Sequence, residues 1–279
     1  MRPLYEPSAT LEGGVGNEAP VRLDAGQTNG AHTMRGTKID LVTESGVMDA
    51  YAFHPDGQGP WPATIFYMDG VGIRPQLFAM AERLASNGYY VLLPNLYYRA
   101  GSFAPFDPAT VWESEPERAR LMALVRSVDN QLAARDTGAC LDFLRDQPET
   151  NDAKIGCVGY CLGGRVALSV AGTYPDRIAA AASIHGASLV TDHPGSPHRL
   201  IKEARAKLYV GAAEDDRSFT PADQDQLRAS LEEAGASFAI EVYPGARHGF
   251  AVDGMPTYDR EAAERHWQRV LTLFKETLS

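Results

Sequence analysis

The sequence predicts an α/β protein with helices on both faces of a mostly parallel central sheet. Short, nearly continuous apolar segments recur at 63–68, 89–93, 178–184 and 207–211, as expected of strands that are buried on both faces. Segments with apolar residues at helical spacing lie between them. A third observation is a strand, a tight turn and a helix around residue 161. Strands and helices that alternate in this way form parallel sheets, because the helical crossovers cover both faces.

The composition excludes several classes of partner. The 279 residues carry a formal net charge of −10, whereas a phosphate-binding surface needs clustered Lys and Arg, so we expect no nucleic-acid partner. The sequence contains neither an apolar run of about 18 residues nor a basic amphipathic helix, so we expect no association with a membrane. Three cysteines, an odd number, suit a reducing compartment, and the first residues lack the apolar core of a secretory signal. We expect a soluble cytoplasmic protein, either a monomer or a small homo-oligomer.

Two parts of the chain differ in composition. Residues 1–35 are rich in Pro and Gly and poor in large apolar residues, which predicts a mostly disordered extension. Residues 36–279 contain no segment that resembles a linker, which predicts a single domain. This domain begins with a predicted antiparallel strand pair at 38–42 and 47–53.

The regular pattern is interrupted at about 99–135. An aromatic loop that includes Phe106 and Trp112 is followed by a charged helix, predicted to run through Arg118 to Leu132. An insertion after the carboxyl end of a strand falls where α/β sheets bind their ligands. We interpret this insertion as a lid or pocket wall; an inert surface excursion is the alternative.

The turn around Cys161 has a glycine on each side. The apolar segment 155–158 leads into Gly159, Cys161 and Gly163, and a helical pattern follows. This G-x-C-x-G spacing is the cysteine version of a nucleophile elbow, in which small neighbours permit a strained backbone at the apex. A buried structural thiol is the alternative interpretation.

Two residues further along the chain favour the nucleophile. Asp216 and His248 each come shortly after a predicted strand, at the same edge of the sheet as Cys161. The chain order nucleophile, acid, histidine is that of the α/β-hydrolases. A cysteine needs such neighbours because a free thiol is largely protonated at neutral pH. Asp215 and Glu214 remain alternatives for the acid.

Three motifs give the chain a resemblance to a known family. They are Gly-Tyr-Cys-Leu-Gly-Gly at 159–164, Asn-Leu-Tyr-Tyr-Arg at 95–99 and Arg-His-Gly-Phe at 247–250. Over residues 37–279 the chain resembles the dienelactone hydrolases, also called carboxymethylenebutenolidases. The resemblance implies an α/β-hydrolase fold with a cysteine nucleophile elbow.

The resemblance also implies roles for individual residues. Cys161 corresponds to the nucleophile, Asp216 to the acid of a catalytic triad and His248 to its base. The backbone N–H groups of Leu162 and Gly70 are expected to form the oxyanion hole.

Further positions are expected to contact the thiol or the substrate. Asp69 lies where family members carry a glutamate that hydrogen-bonds the resting thiol, although aspartate is one methylene shorter. Arg99 matches an arginine that holds a substrate carboxylate, a task suited to the bidentate guanidinium; a surface salt bridge is the alternative. Tyr98, Tyr160 and Phe250 are further expected substrate contacts.

A second family arginine would follow His248 by a few residues, and this sequence has none there. An uncharged or larger ester or lactone is therefore favoured over dienelactone itself. Three other histidines, His185, His193 and His198, lack the spacing of metal ligands, so we expect a polar loop and no metal site.

The sequence therefore predicts a hydrolase that opens the lactone or ester bond of a small molecule through Cys161, without a cofactor. A carboxylesterase or thioesterase that acts on acyclic substrates is one alternative. A non-catalytic ligand-binding protein with the same fold is another.

Overall fold

The computed structural model describes residues 36–278, so the predicted disordered extension at 1–35 lies outside the described residues. Eight strands form one sheet within this part of the chain. They are Thr37–Thr43 (β1), Gly46–Phe53 (β2), Trp61–Tyr67 (β3), Tyr90–Pro94 (β4), Thr150–Tyr160 (β5), Ile178–Ile184 (β6), Lys207–Asp215 (β7) and Phe238–Arg247 (β8). Their order in the sheet is β1-β2-β4-β3-β5-β6-β7-β8.

The sheet is mostly parallel, as the sequence predicts. β1 pairs with β2 and β2 with β4 in antiparallel fashion, whereas all pairs from β4 across to β8 are parallel. Every residue of β4 is buried, and so are the last six residues of β5, from Ile155 to Tyr160. Such apolar runs suit central strands, because both of their faces are covered.

Helices cover both faces of this sheet. They are Pro75–Ala85 (α1), Glu115–Ser127 (α2), Asn130–Asp146 (α3), Leu162–Thr173 (α4), Pro197–Leu200 (α5), Pro221–Glu233 (α6) and Arg260–Thr277 (α7). Successive residues of a strand point to opposite faces, and β5 shows what covers each face. A Cβ on Gly156 would lie 2.8 Å from Leu278, at the end of α7, whereas the Cys157 thiol lies 3.6 Å from the Ala167 carbonyl of α4.

One predicted helix is wrong in its extent. The charged helix expected to reach Leu132 ends at Ser127, and only two residues separate it from α3, which begins at Asn130. Val128 and Asp129 between them have extended backbone. Asp129 caps α3, since its carboxylate accepts the Leu132 N–H at 2.8 Å and satisfies a donor that the helix itself cannot pair.

The strands that lead to the candidate site are longer than predicted. β5, β7 and β8 continue up to the residues directly before Cys161, Asp216 and His248 respectively. Since these strands are parallel members of one sheet, the three side chains emerge at the same edge.

Candidate active site

Cys161 occupies a sharp turn between β5 and α4. Its φ of 51° and ψ of −110° are unusual for a residue with a side chain, a strain of about 1–3 kcal/mol. Backbone hydrogen bonds hold this conformation: the Cys161 N–H donates to Ile184 O at 3.1 Å, and its carbonyl accepts the N–H groups of Gly164 and Ala187. The thiol remains partly exposed, so the turn presents a strained, accessible sulfur.

The flanking glycines are required by close backbone contacts. A Cβ on Gly159 would lie 2.0 Å from Gly163 O, and one on Gly163 would lie 2.4 Å from Tyr67 O. These neighbours are main-chain atoms, which cannot move away as the end of a side chain could. The G-x-C-x-G spacing therefore reflects how closely α4 begins against β3 and β5.

His248 is hydrogen-bonded to one of the three candidate acids. Its Nδ1 lies 2.8 Å from Asp216 Oδ2, and the other Asp216 oxygen accepts the Ser218 N–H at 2.8 Å and the Ser218 hydroxyl at 2.6 Å. Asp215 is exposed, and Glu214 accepts the Gly245 N–H at 2.8 Å. Among 214–216, Asp216 is thus the acid that the structure brings to the histidine.

Opposing effects set the charge of His248. Burial lowers its pKa, but the negative charge of Cys161 and the hydrogen bond to Asp216 outweigh burial and raise the pKa well above its ordinary value of 6.5. The pKa of Asp216 is lowered overall. Burial alone would raise it, but the hydrogen bonds from His248 and Ser218 outweigh burial. The surroundings of His248 therefore favour its protonated, imidazolium form.

Leu162 and Gly70, whose backbone N–H groups are predicted to form an oxyanion hole, both lie next to Cys161. Leu162 is the first residue of α4, so its N–H is one of the four that have no partner within the helix. Gly70 lies in the loop after β3, and a Cβ built on it would lie 3.9 Å from Cys161 Sγ. The positive end of the α4 dipole also points at this position.

Cys161, His248 and Asp216 line a cavity of about 550 Å³. Its apolar walls are formed by Val71, Trp112, Leu121, Met122, Val125, Leu162 and Met255. Trp112 and three of these residues, on α2, belong to the segment interpreted as an insertion. Arg165, Arg217 and Arg247 also line the cavity, so an apolar ligand with an anionic group would find complementary surfaces.

This arrangement agrees with the comparison against known families. The model of the dienelactone hydrolase family matches residues 48–278. The chain belongs to the dienelactone hydrolase family. Membership places it among the α/β-hydrolases and makes it a hydrolase of carboxylic ester bonds.

Individual relatives are distant but cover most of the chain. A protein of Methylorubrum extorquens, provisionally named a carboxymethylenebutenolidase, is 26% identical over 92% of this chain and 86% of its own. The carboxymethylenebutenolidase of Pseudomonas putida is 27% identical over 80% of this chain and 92% of its own. A crystal structure from Klebsiella pneumoniae, provisionally named a dienelactone hydrolase, is 24% identical with a TM-score of 0.76, covering 88% of this chain and 100% of that one. No helix in residues 36–278 has the length and hydropathy needed to cross a membrane.

Asp69 does not make the contact with the thiol that the family resemblance implies. Its Oδ1 and Oδ2 accept the two terminal nitrogens of Arg74 at 2.6 and 2.7 Å, and Oδ1 also accepts the Val71 N–H. No hydrogen bond joins it to Cys161 among the described residues. The shorter aspartate is instead held within its own loop by a buried ion pair.

Arg99 and Tyr98 lie outside the cavity, contrary to expectation. After β4 the chain makes a short 3₁₀ turn, and Arg99 pairs with Asp136 of α3 at 2.6 Å and lies over the Tyr98 ring. The Tyr98 hydroxyl bonds to Thr43 at 2.8 Å. This pairing agrees with the alternative interpretation of Arg99, a surface salt bridge.

Tyr160 and Phe250 are also absent from the cavity wall, and both are fully buried. The Tyr160 hydroxyl lies 3.1 Å from His266 Nε2, and the Phe250 ring stacks on Tyr243 with centroids 4.7 Å apart. The cavity lining therefore does not support their predicted contact with the substrate.

Arg165 lines the cavity but was not among the predicted site residues. It lies four residues after Cys161, and therefore one turn further along the same face of α4, a spacing that could have identified it. Its Nη2 donates to the carbonyls of Val125 and Val128, both at 2.9 Å, which ties α4 to the end of α2. No carboxylate of residues 36–278 forms a salt bridge with it.

His185 was interpreted as part of a polar loop, but it lines the cavity and is only 1% exposed. Its ring packs edge-on against that of His248, with centroids 5.3 Å apart. Burial, and then the charges of His248 and His266, lower its pKa well below 6.5. A neutral ring can pack against an imidazolium without charge repulsion. His193 and His198 lie outside this cavity and bond within their own loop.

Proposed function

We propose that this protein hydrolyses the ester or lactone bond of a small molecule by covalent catalysis through Cys161, His248 and Asp216. One observation carries the proposal. A strained cysteine lines the same cavity as a histidine whose far nitrogen is hydrogen-bonded to a buried carboxylate at 2.8 Å. This is the relation of nucleophile, base and orienting acid that acyl transfer requires.

In the proposed first step, the Cys161 thiolate attacks the carbonyl carbon while His248 holds the proton as an imidazolium. The C–S bond forms as the carbonyl π electrons move onto oxygen, and the amides of Leu162 and Gly70 stabilise that oxyanion. The tetrahedral intermediate then collapses and the C–O bond to the leaving group breaks. His248 protonates the departing alkoxide.

In the second step, neutral His248 takes a proton from water as the water attacks the thioester. The C–S bond breaks, the carboxylic acid product forms, and the thiolate–imidazolium pair returns. In a lactone the alkoxide stays attached to the acyl group, so the whole opened chain must fit the cavity until this step is complete. A volume of about 550 Å³ can hold such a small molecule.

Arg165 is the best candidate for contact with an anionic part of the substrate. It lines the cavity one helical turn from Cys161 and has no salt-bridge partner among the described residues. Burial lowers the pKa of its guanidinium, while the charge of Cys161 acts in the opposite direction. A substrate carboxylate would supply the missing counter-charge.

A carboxylesterase or thioesterase acting on acyclic substrates is the second candidate. The position of Arg99 outside the cavity favours it, because the expected carboxylate clamp is absent, and so does the largely apolar wall. The same two-step acyl transfer serves both candidates, and they differ in the leaving group: an alkoxide tethered to the acyl group in a lactone, a free alkoxide in an acyclic ester and a free thiolate in a thioester.

A substrate panel tests the proposal. It pairs a dienelactone with its carboxamide analogue, and p-nitrophenyl acetate with an acetyl thioester, each assayed with the wild-type protein and with Cys161→Ala. We expect hydrolysis by the wild-type protein and none above background by the variant, with Cys140→Ala as a buried-cysteine control that retains activity. Equal rates for Cys161→Ala and wild type would contradict covalent catalysis. Preference for the acyclic members would select the second candidate.

A further inference from the structure

The loop between β3 and α1, residues 69–74, is closed on itself by a buried ion pair. Asp69 is 3% exposed and Arg74 9%, and the guanidinium meets the carboxylate through two hydrogen bonds of 2.6 and 2.7 Å. The same Arg74 Nη1 also donates to Gly72 O at 2.9 Å. One side chain therefore bonds two separate points of its own loop.

These contacts fix the peptide that carries the Gly70 N–H. The Asp69 carbonyl accepts the Gly72 N–H at 3.2 Å, in a turn that Gly72 permits with its φ of 95°. In a trans peptide the C=O and the following N–H point in opposite directions. The Gly70 N–H therefore points away from Gly72. The Asp69 carboxylate secures the turn by accepting the Val71 N–H at 3.0 Å.

A second buried group holds the other side of Gly70. The Tyr97 hydroxyl donates to Gly70 O at 2.7 Å, and Tyr97 is only 1% exposed. Burial, and then the negative charges of Cys161 and Asp69, raise the pKa of this hydroxyl, so it stays a donor. The two peptides that flank Gly70 are thus both fixed, next to the sulfur.

We propose that Asp69, Arg74 and Tyr97 are positioning residues that hold the Gly70 amide ready for the oxyanion. The proposal rests on the proposed function, in which that amide stabilises the tetrahedral intermediate. It gives Asp69 a role different from contact with the thiol. A pre-oriented donor costs no reorganisation during the reaction, whereas a loop free to move by about 1 Å loses up to about 100-fold in rate.

Two variants test this role. Arg74→Lys keeps the charge but loses the fork that binds Asp69 and Gly72 together. Tyr97→Phe removes one oxygen and carries the test if Arg74→Lys fails to fold. With p-nitrophenyl acetate we expect kcat/KM to fall about 10- to 100-fold in Arg74→Lys and about fivefold in Tyr97→Phe, the latter being roughly the worth of one net hydrogen bond.

A second readout separates positioning from general damage. Iodoacetamide alkylates a thiolate by direct displacement and forms no oxyanion, so its rate at Cys161 should stay at the wild-type value in both variants. Arg83→Lys is the matched control. Arg83 of α1 makes the same two-bond ion pair with Glu264 of α7, but this pair lies at the protein surface. We expect that variant to keep its full kcat/KM.

Unchanged kcat/KM in a folded Arg74→Lys or Tyr97→Phe variant would overturn the proposal. So would a fall in alkylation rate that matches the fall in kcat/KM, since this would show a disturbed nucleophile. Cys161→Ala distinguishes a failure of the proposed function from a failure of the positioning role alone. If that variant hydrolyses ester, the proposed function itself fails; if it is inactive while Arg74→Lys and Tyr97→Phe are unimpaired, only the positioning role fails.

Discussion

Cys161 and His248 line the same cavity, and the charge of the histidine depends on its neighbours there. His248 lies between the sulfur and Asp216, and both anions favour its protonated form against the effect of burial. Asp69, which could have competed for the thiol, is bound to Arg74 instead. In the proposed mechanism the imidazolium is therefore the partner of Cys161, and the protonation state of His248 provides a test of that mechanism.

The first prediction concerns this protonation. Cys161 is the foremost group that raises the pKa of His248, so Cys161→Ala should lower that pKa, leaving Asp216 alone to oppose burial. An NMR titration of the His248 ring measures it in both proteins. The wild-type ring should stay protonated at pH 7 and lose its proton only at higher pH. An identical titration in the variant would show that the sulfur does not set the charge of His248.

The second prediction concerns the acid. Asp216→Asn should reduce kcat by roughly 10²- to 10⁴-fold, since an amide cannot stabilise the imidazolium or fix its orientation as a carboxylate does. Asp215→Asn, one residue earlier and exposed, is the matched control and should leave kcat nearly unchanged. Steady-state kinetics of both variants decide between them. A greater loss in Asp215→Asn would reverse the assignment.

At the scale of elements, the elbow depends on how α4 begins. The helix starts directly against the end of β3. A Cβ built on Gly163 would lie only 2.4 and 2.6 Å from the main-chain oxygens of Tyr67 and Met68. The same closeness brings the Leu162 N–H beside the loop that carries Gly70. The close packing of α4 against β3 and the proposed oxyanion hole therefore both require a glycine at position 163.

The third prediction follows from this contact. Gly163→Ala should lower the free energy of unfolding by about 1–3 kcal/mol and reduce kcat, because main-chain atoms must shift. Gly138→Ala, also within a helix, is the matched control. Its nearest neighbour is the end of the Tyr174 side chain at 3.0 Å, and alanine favours helices by about 0.5–1 kcal/mol. Urea denaturation measures both. Equal stability of Gly163→Ala and wild type would contradict the elbow packing.

At the scale of the whole molecule, the parallel sheet could be predicted because apolar strands and amphipathic helices alternate locally along the chain. The same alternation predicted that Cys161, Asp216 and His248 lie at one edge of the sheet, because the carboxyl ends of parallel strands meet there. Asp216 was the predicted acid, but Asp215 and Glu214 remained open, because the sequence does not show which of three adjacent side chains points toward His248. The predicted helix extended too far, to Leu132, because the sequence alone did not indicate that Asp129 caps α3.

The substrate contacts were harder to predict, because they depend on which oppositely charged partner each side chain meets in the folded chain. Arg99 pairs with Asp136, and Asp69 with Arg74, and in each case a nearby opposite charge decides where the side chain lies. Arg165 and His185 reach the cavity through the path of α4 and of the loop after β6. A resemblance in motif predicts the backbone of the site better than its charged lining.

The central claim is that Cys161 becomes acylated, and rapid-quench mass spectrometry tests it most directly. The protein is mixed with excess p-nitrophenyl acetate, quenched in acid within the first turnovers and digested. We predict one acetyl group on the peptide that contains Cys161, formed and lost at rates that match turnover, with none on Cys140 or Cys157. Steady hydrolysis without any acetylated Cys161 would contradict the account.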